Sequence, residues 1–131
     1  MKKLLVLVTL VVISCLSCLA QRFTVTEIKS RGISENELQE KKVQMLGATF
    51  DISIYDTSVK VKVTTTENEY TTIVLDESPD KHSDYFCQIG ENHYFLTLNK
   101  SFGGEATSAT FSTAEINPHP RIFWYTLKKK Y

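Results

Sequence analysis

The chain has 131 residues, with 15 Lys and Arg against 15 Asp and Glu and a formal charge of zero. That length holds one domain, and the balanced charge excludes the basic field on which nucleic-acid binding depends. Of three cysteines, Cys15 and Cys18 lie in the first twenty residues, so a fold stapled by internal disulfides is excluded as well.

The chain opens with Lys2 and Lys3, followed by an apolar run from Leu4 to Ile13 broken only by Thr9. A run of about ten residues is too short to cross a bilayer and has the length of the apolar centre of an export signal. Cys18-Leu19-Ala20 puts small residues at the minus-three and minus-one positions of a cleavage before Gln21. This predicts residues 1–20 as a signal peptide and 21–131 as a single exported bacterial domain, periplasmic or secreted. The alternative is a lipobox, Val12-Ile13-Ser14-Cys15, in which Cys15 carries the lipid of an envelope lipoprotein; membrane contact is expected only through such an anchor. Leu16 to Ala20 continues as a cleavage region more than as a solvated tether. Loss of Lys2 and Lys3 with the leader leaves 13 basic and 15 acidic side chains. Lys128-Lys129-Lys130 reads as a solvated tail.

Beyond the leader the pattern alternates with period two, the mark of half-buried strands. Phe23 to Ile28 predicts the first strand. Ser34-Glu35-Asn36-Glu37 matches a capping box, and Leu38 to Lys42 continues with good helix formers. With few apolar residues, the segment 34–42 is expected to form one or two turns across an opening. Phe50, Ile52 and Ile54 then alternate with Asp51, Ser53 and Tyr55, and Val59, Val61 and Val63 with Lys60, Lys62 and Thr64. The short Asp56-Thr57-Ser58 turn predicts that these two strands form a hairpin. Tyr70 to Leu75 is a further strand. Tyr85 to Ile89 and His93 to Leu98 flank the tight turn at Gly90-Glu91-Asn92. Thr107 to Ser112 and Ile122 to Leu127 complete the set. About eight strands joined by short turns predict a small antiparallel meander barrel of lipocalin-like form, with a two-sheet β-sandwich as the alternative. Ile122-Phe123-Trp124-Tyr125-Thr126-Leu127 is apolar on both faces, which calls for cover on both sides or an interface. A monomer is expected, with a dimer through this strand as the alternative.

Catalysis requires a nucleophile or metal with an oriented partner. The turn at Gly90 sets Cys87 opposite Tyr94 on the apolar face with Tyr85 and Ile89, where a core thiol is expected. His82, His93 and His119 have no close-spaced ligand partners, so neither a zinc site nor any other metal is expected. Asp76, Glu77, Asp80 and Asp84 lack the tight alternation and glycine bend of a calcium loop. No enzyme activity and no cofactor are expected; binding is the remaining class. A barrel mouth lined by Tyr55, Tyr70, Tyr85, Tyr94 and Trp124 would suit a small ligand or an envelope-surface component.

The second binding route is the stretch Asn99-Lys100-Ser101-Phe102-Gly103-Gly104-Glu105-Ala106-Thr107-Ser108. Glycine admits backbone geometries closed to other residues. Beside a scissile-like bond, it would hold the carbonyl out of line with an attacking nucleophile. The small residues after it suit an extended segment in a cleft. With its strand-rich, disulfide-free body, this glycine-bearing loop resembles the staphostatins and related streptopain-type inhibitors. These are small lipocalin-like barrels that block papain-like cysteine proteases of the same bacterium with a loop threaded in the substrate direction. The resemblance implies a secreted cysteine protease as partner. It also implies an inhibitory loop of Phe102, Gly103, Gly104, Glu105, Ala106 and Thr107, with Gly103 or Gly104 at the cleavage-resistant position and Phe102 or Glu105 in neighbouring subsites. This chain departs from the family by placing Glu105-Ala106 between glycine and Thr107-Ser108, and some family members lack an export signal.

Overall fold

A computed structural model describes residues 19–79, 83–100 and 106–129. They form β1 (Leu19–Arg31), α1 (Glu35–Met45), β2 (Thr49–Ile54), β3 (Ser58–Thr64), β4 (Tyr70–Glu77), β5 (Asp84–Ile89), β6 (Asn92–Lys100), β7 (Ala106–Glu115) and β8 (Arg121–Lys129). Each strand pairs antiparallel with its neighbours in sequence, and β8 returns to β1 to close an eight-stranded meander barrel. That closure decides between the two expected architectures: one continuous sheet, with no sandwich.

The alternation read from the sequence becomes the inside and outside of the barrel. Val59 and Val61 are fully buried while Lys60 and Lys62 are exposed, and Phe50 and Ile52 are fully buried beside them. The axis is filled by Phe23, Phe50, Ile52, Leu75, Leu96 and Leu127. Phe50 meets Phe111 edge-on at 5.1 Å between ring centroids, and Tyr125 stands 6.2 Å from Phe50 and 6.1 Å from Phe111. Each such ring removes enough apolar area from water to contribute on the order of 2 kcal/mol.

Period two fails at one place in β1. A bulge between Val25 and Glu27 shifts the register against β8, so Val25 and Ile28 both turn inward although three positions apart. The strand is also longer than expected, starting with Leu19 and Ala20 opposite Ile54 and Ser53. One polar side chain, Gln21, enters the interior opposite Ile52. It is buried, and neither its Oε1 nor its Nε2 has a hydrogen-bond partner among the described residues.

The helix runs one turn beyond the expected segment. The Ser34 hydroxyl accepts from the Glu37 N–H at 3.3 Å, as the capping box requires, but α1 continues to Met45. Met45 is its one buried side chain and enters the core, and Leu38 packs against the core's edge. This contact extends the helix where local propensity alone does not. Gly47, at φ +85°, then reverses the chain, and its N–H donates to the Val25 carbonyl at 3.0 Å. At Gly90 the φ is +62°, the conformation a two-residue hairpin needs between Ile89 and Asn92.

Barrel topology sorts the connections to two ends. Helix α1 and the β3–β4, β5–β6 and β7–β8 turns crown one end, while the β2–β3 turn lies at the other, where β4 and β6 end and β5 and β7 begin. The pairing is uneven around the circumference: β4 and β5 share only Asp76↔Phe86 and Glu77↔Tyr85, whereas every other neighbouring pair is laddered over six or more positions.

Candidate ligand site at the helix-capped mouth

Helix α1 lies over the mouth without sealing it. Between the helix and the ends of β6, β7 and β8 is a cleft of about 530 Å³, with Tyr94, Phe123 and Tyr125 among its lining and Glu37, Glu40, Lys41 and Arg121 among its charged groups. Register explains the aromatic floor. Tyr94, Phe123 and Tyr125 have inward parity; Tyr125 is buried with the core, whereas Tyr94 and Phe123, one rung nearer the mouth, have less core above them and are half-buried. Tyr94 stacks on Phe111 at 6.2 Å and Phe123 on Tyr125 at 6.4 Å, which continues the core's aromatic contacts into the opening.

The rim is held by charge. Arg121 on β8 pairs with Glu37 on the first turn of α1, and its other guanidinium nitrogen lies 3.6 Å from Glu115. Lys41, one turn further along the helix, holds its Nζ 5.3 Å from the Phe123 ring centroid. Burial pushes the Tyr125 hydroxyl up to about 12, a hydrogen bond with Thr113 opposing the shift. Tyr94 is raised chiefly by burial too, with Cys87 and Glu115 adding to it. Both hydroxyls therefore stay protonated at neutral pH, able to donate as well as accept.

The five aromatic residues expected to line one mouth separate. Tyr94 lines this cleft. Tyr85 has inward parity but sits deep in the barrel and is buried with the core. Trp124 falls on the opposite parity from Phe123 and Tyr125, so it faces outward, half-buried, between Lys29 and Ser112. Tyr55 and Tyr70 face outward as well, around a shallower depression of about 330 Å³ on the β2–β3–β4 surface. The Tyr70 ring carries Lys62 Nζ at 4.6 Å. Phe123 and Tyr125 were absent from the expected set because Ile122-Phe123-Trp124-Tyr125 is apolar on both faces, so its sequence does not reveal which parity points inward. The outward Ile122 and Trp124 are half-buried.

Cys87 pairs across from Tyr94 as expected and is half-buried. Its thiol is raised by burial and then by Asp76, the reverse of the shift that activates a nucleophile. His93 lies 6.0 Å from the Phe86 ring on the outer face, and His119 lies in the β7–β8 turn. No group of three or more His, Cys, Asp and Glu is placed to hold a metal among the described residues. Phe102, Gly103, Gly104 and Glu105, together with Cys15, Asp80 and His82, lie outside the described residues. Ala106 and Thr107 are the first residues of β7, and Ala106 is buried. At that stem the Asn99 side-chain amide donates to the Ser108 hydroxyl at 3.1 Å and the Thr107 hydroxyl to the Asn99 carbonyl at 3.4 Å.

No family model, curated protein or solved structure matches this chain.

Proposed function

We propose that this chain is an exported, non-enzymatic binding protein that holds a small amphipathic ligand in the helix-capped mouth. The observation that carries the reading is the cleft itself: about 530 Å³ between a helix and an aromatic floor, within the range of small-molecule sites. The barrel axis is packed with side chains, so among the described residues the mouth has more room for a ligand than the barrel's centre. Phe123 and Tyr94 supply apolar area, while Lys41 and Glu40 supply polar contacts at the rim. Export is carried by Lys2, Lys3 and the apolar run after them, with lipidation of Cys15 as the anchored form.

An environment-sensitive apolar dye tests the site. It should bind one per chain, and Tyr94→Arg and Phe123→Arg should each abolish its fluorescence while circular dichroism stays unchanged. Dye binding that survives both substitutions would overturn the proposal.

The pinned β6–β7 stem favours a second reading, inhibition of a secreted papain-like cysteine protease through residues 101–108. Hydrogen bonds from Asn99 and Thr107 fix the two strands from which that segment departs, and a fixed base reduces the entropy lost on docking. Titration of papain-like proteases with the full chain and with a Gly103→Arg, Gly104→Arg variant tests it. Stoichiometric inhibition lost in the variant is expected, and full protease activity at excess wild-type chain rules it out.

A further inference from the structure

The ladder between β4 and β5 stops after two residue pairs, and the strands part toward the helix end. Continuing the register would set Leu75 against Cys87 and Val74 against Gln88, but those pairs are not made. On its other edge β4 is fully laddered to β3, from Ser58↔Asp76 to Thr64↔Tyr70. One edge of β4 from residue 70 to 75, and one edge of β5 from 87 to 89, are thus left without a strand partner among the described residues. The parted seam also uncovers side chains that the barrel's parity aims inward. Ile89 follows Tyr85 and Cys87 on the inner face yet is 55% exposed, and Thr71, on the parity of the buried Ile73 and Leu75, is exposed as well. On the outer face Val74 is 56% exposed, and Phe86 and Phe95 form an exposed pair at 5.0 Å. An open edge beside exposed apolar side chains is a template for a further strand.

From this juxtaposition we infer that the β4–β5 seam is a docking site for an extended, basic, alternating segment of a partner protein, added antiparallel along the free edge of β4. Charge selects the occupant. Neither β4 nor β5 carries a lysine or arginine, while Asp76, Glu77 and Asp84 stand at the closed end of the seam and Glu69 and Glu91 at its open end. The strand that β4 already accepts on its other edge has this chemistry: in β3, Ser-Val-Lys-Val-Lys-Val-Thr, the valines turn inward and the lysines lie beside Val74 and Thr72. A similar segment in the seam would lay its β-branched side chains over Ile73 and Ile89 and its cations toward the carboxylates. The surface is separate from the mouth cleft, and the inference stands whether or not that cleft binds a ligand.

The probe is the synthetic heptapeptide Ser-Val-Lys-Val-Lys-Val-Thr, titrated into the isotope-labelled full chain and followed by amide shifts. Shifts confined to residues 70–76 and 86–89 are expected, with affinity about tenfold weaker when both lysines are replaced by glutamate. A peptide N-methylated at alternate residues keeps the side chains but lacks the ladder donors, and should not bind. Ile89→Ser, at an exposed position, should weaken binding without unfolding the barrel. No shifts at millimolar peptide, equal binding of the methylated peptide, or shifts centred on Tyr94 and Phe123 would each overturn the inference. So would a dimer in sedimentation whose seam amides are already protected from exchange, since a second copy would then be the occupant.

Discussion

Glu37 at the start of α1 and Arg121 at the start of β8 are 84 positions apart in sequence and form the ion pair that ties the helix across the barrel mouth. Met45 anchors the opposite end of the helix in the core. The helix is therefore held at both ends, with the cleft beneath its middle.

Glu37→Ala should release the first turn and leave the barrel standing. Both partners are partly exposed, so the loss of global stability should be at most about 1 kcal/mol by urea denaturation. Amide exchange in residues 35–41 should accelerate far more than in β2 or β3, because the local effect exceeds the global one. Equal acceleration throughout the barrel would refute the local tethering role of this pair.

Among the described glycines, Gly32 is the one the fold tolerates least in exchange. Its φ is +73°, and a Cβ there would run into the carbonyl oxygen of Pro120. Gly47 and Gly90 also have positive φ but have open space around them. Gly47→Ala and Gly90→Ala should each cost about 1 kcal/mol from backbone strain alone, and Gly32→Ala clearly more. Thermal melts of the three variants give the order, and equal melting temperatures would refute it.

Gln21 presents the opposite opportunity. A buried amide with neither polar atom partnered among the described residues costs about 1–3 kcal/mol, and methionine has a similar shape without those atoms. Gln21→Met should raise the urea midpoint. A decrease would mean that the amide has a hydrogen-bond partner beyond the described residues.

Alkaline pH should weaken the fold. Tyr125 is raised to about 12 by burial, and Tyr85 and Tyr94 are raised for the same first reason. An unfolded tyrosine ionises near pH 10, so above that point the unfolded chain sheds protons that the barrel retains. The stability these tyrosines contribute is complete below about pH 10 and is lost as pH rises toward 12. Urea midpoints at pH 8, 10 and 11.5 should fall in that order, and Tyr125→Phe should flatten the decline.

Much of the barrel was legible because its rule is local. In Val59-Lys60-Val61-Lys62-Val63 each residue's side of the sheet follows from its neighbour's, and the Gly90 turn fixed Cys87 opposite Tyr94 by counting. The cleft was only partly legible. Tyr94 was among the expected lining residues, but Tyr55, Tyr70 and Trp124 face outward and Tyr85 is core. An aromatic side chain in a strand announces its size, while its parity and height in the barrel depend on register with strands far away in sequence. Phe123 and Tyr125 were missed for the same reason, in a stretch, residues 122–125, that is apolar on both faces.

By itself, then, the sequence determined extended structure, the order of strands, the tight turns and the start of the helix, since each rests on contacts between residues a few positions apart. Tertiary structure alone decided the closure of β8 onto β1, the bulge that turns both Val25 and Ile28 inward, the reach of α1 to Met45 and the parting of β4 from β5. Each of these depends on how eight twisted strands share one circumference and one core. That constraint acts between residues more than a hundred positions apart, such as Phe23 and Lys129, and no short window of sequence contains it.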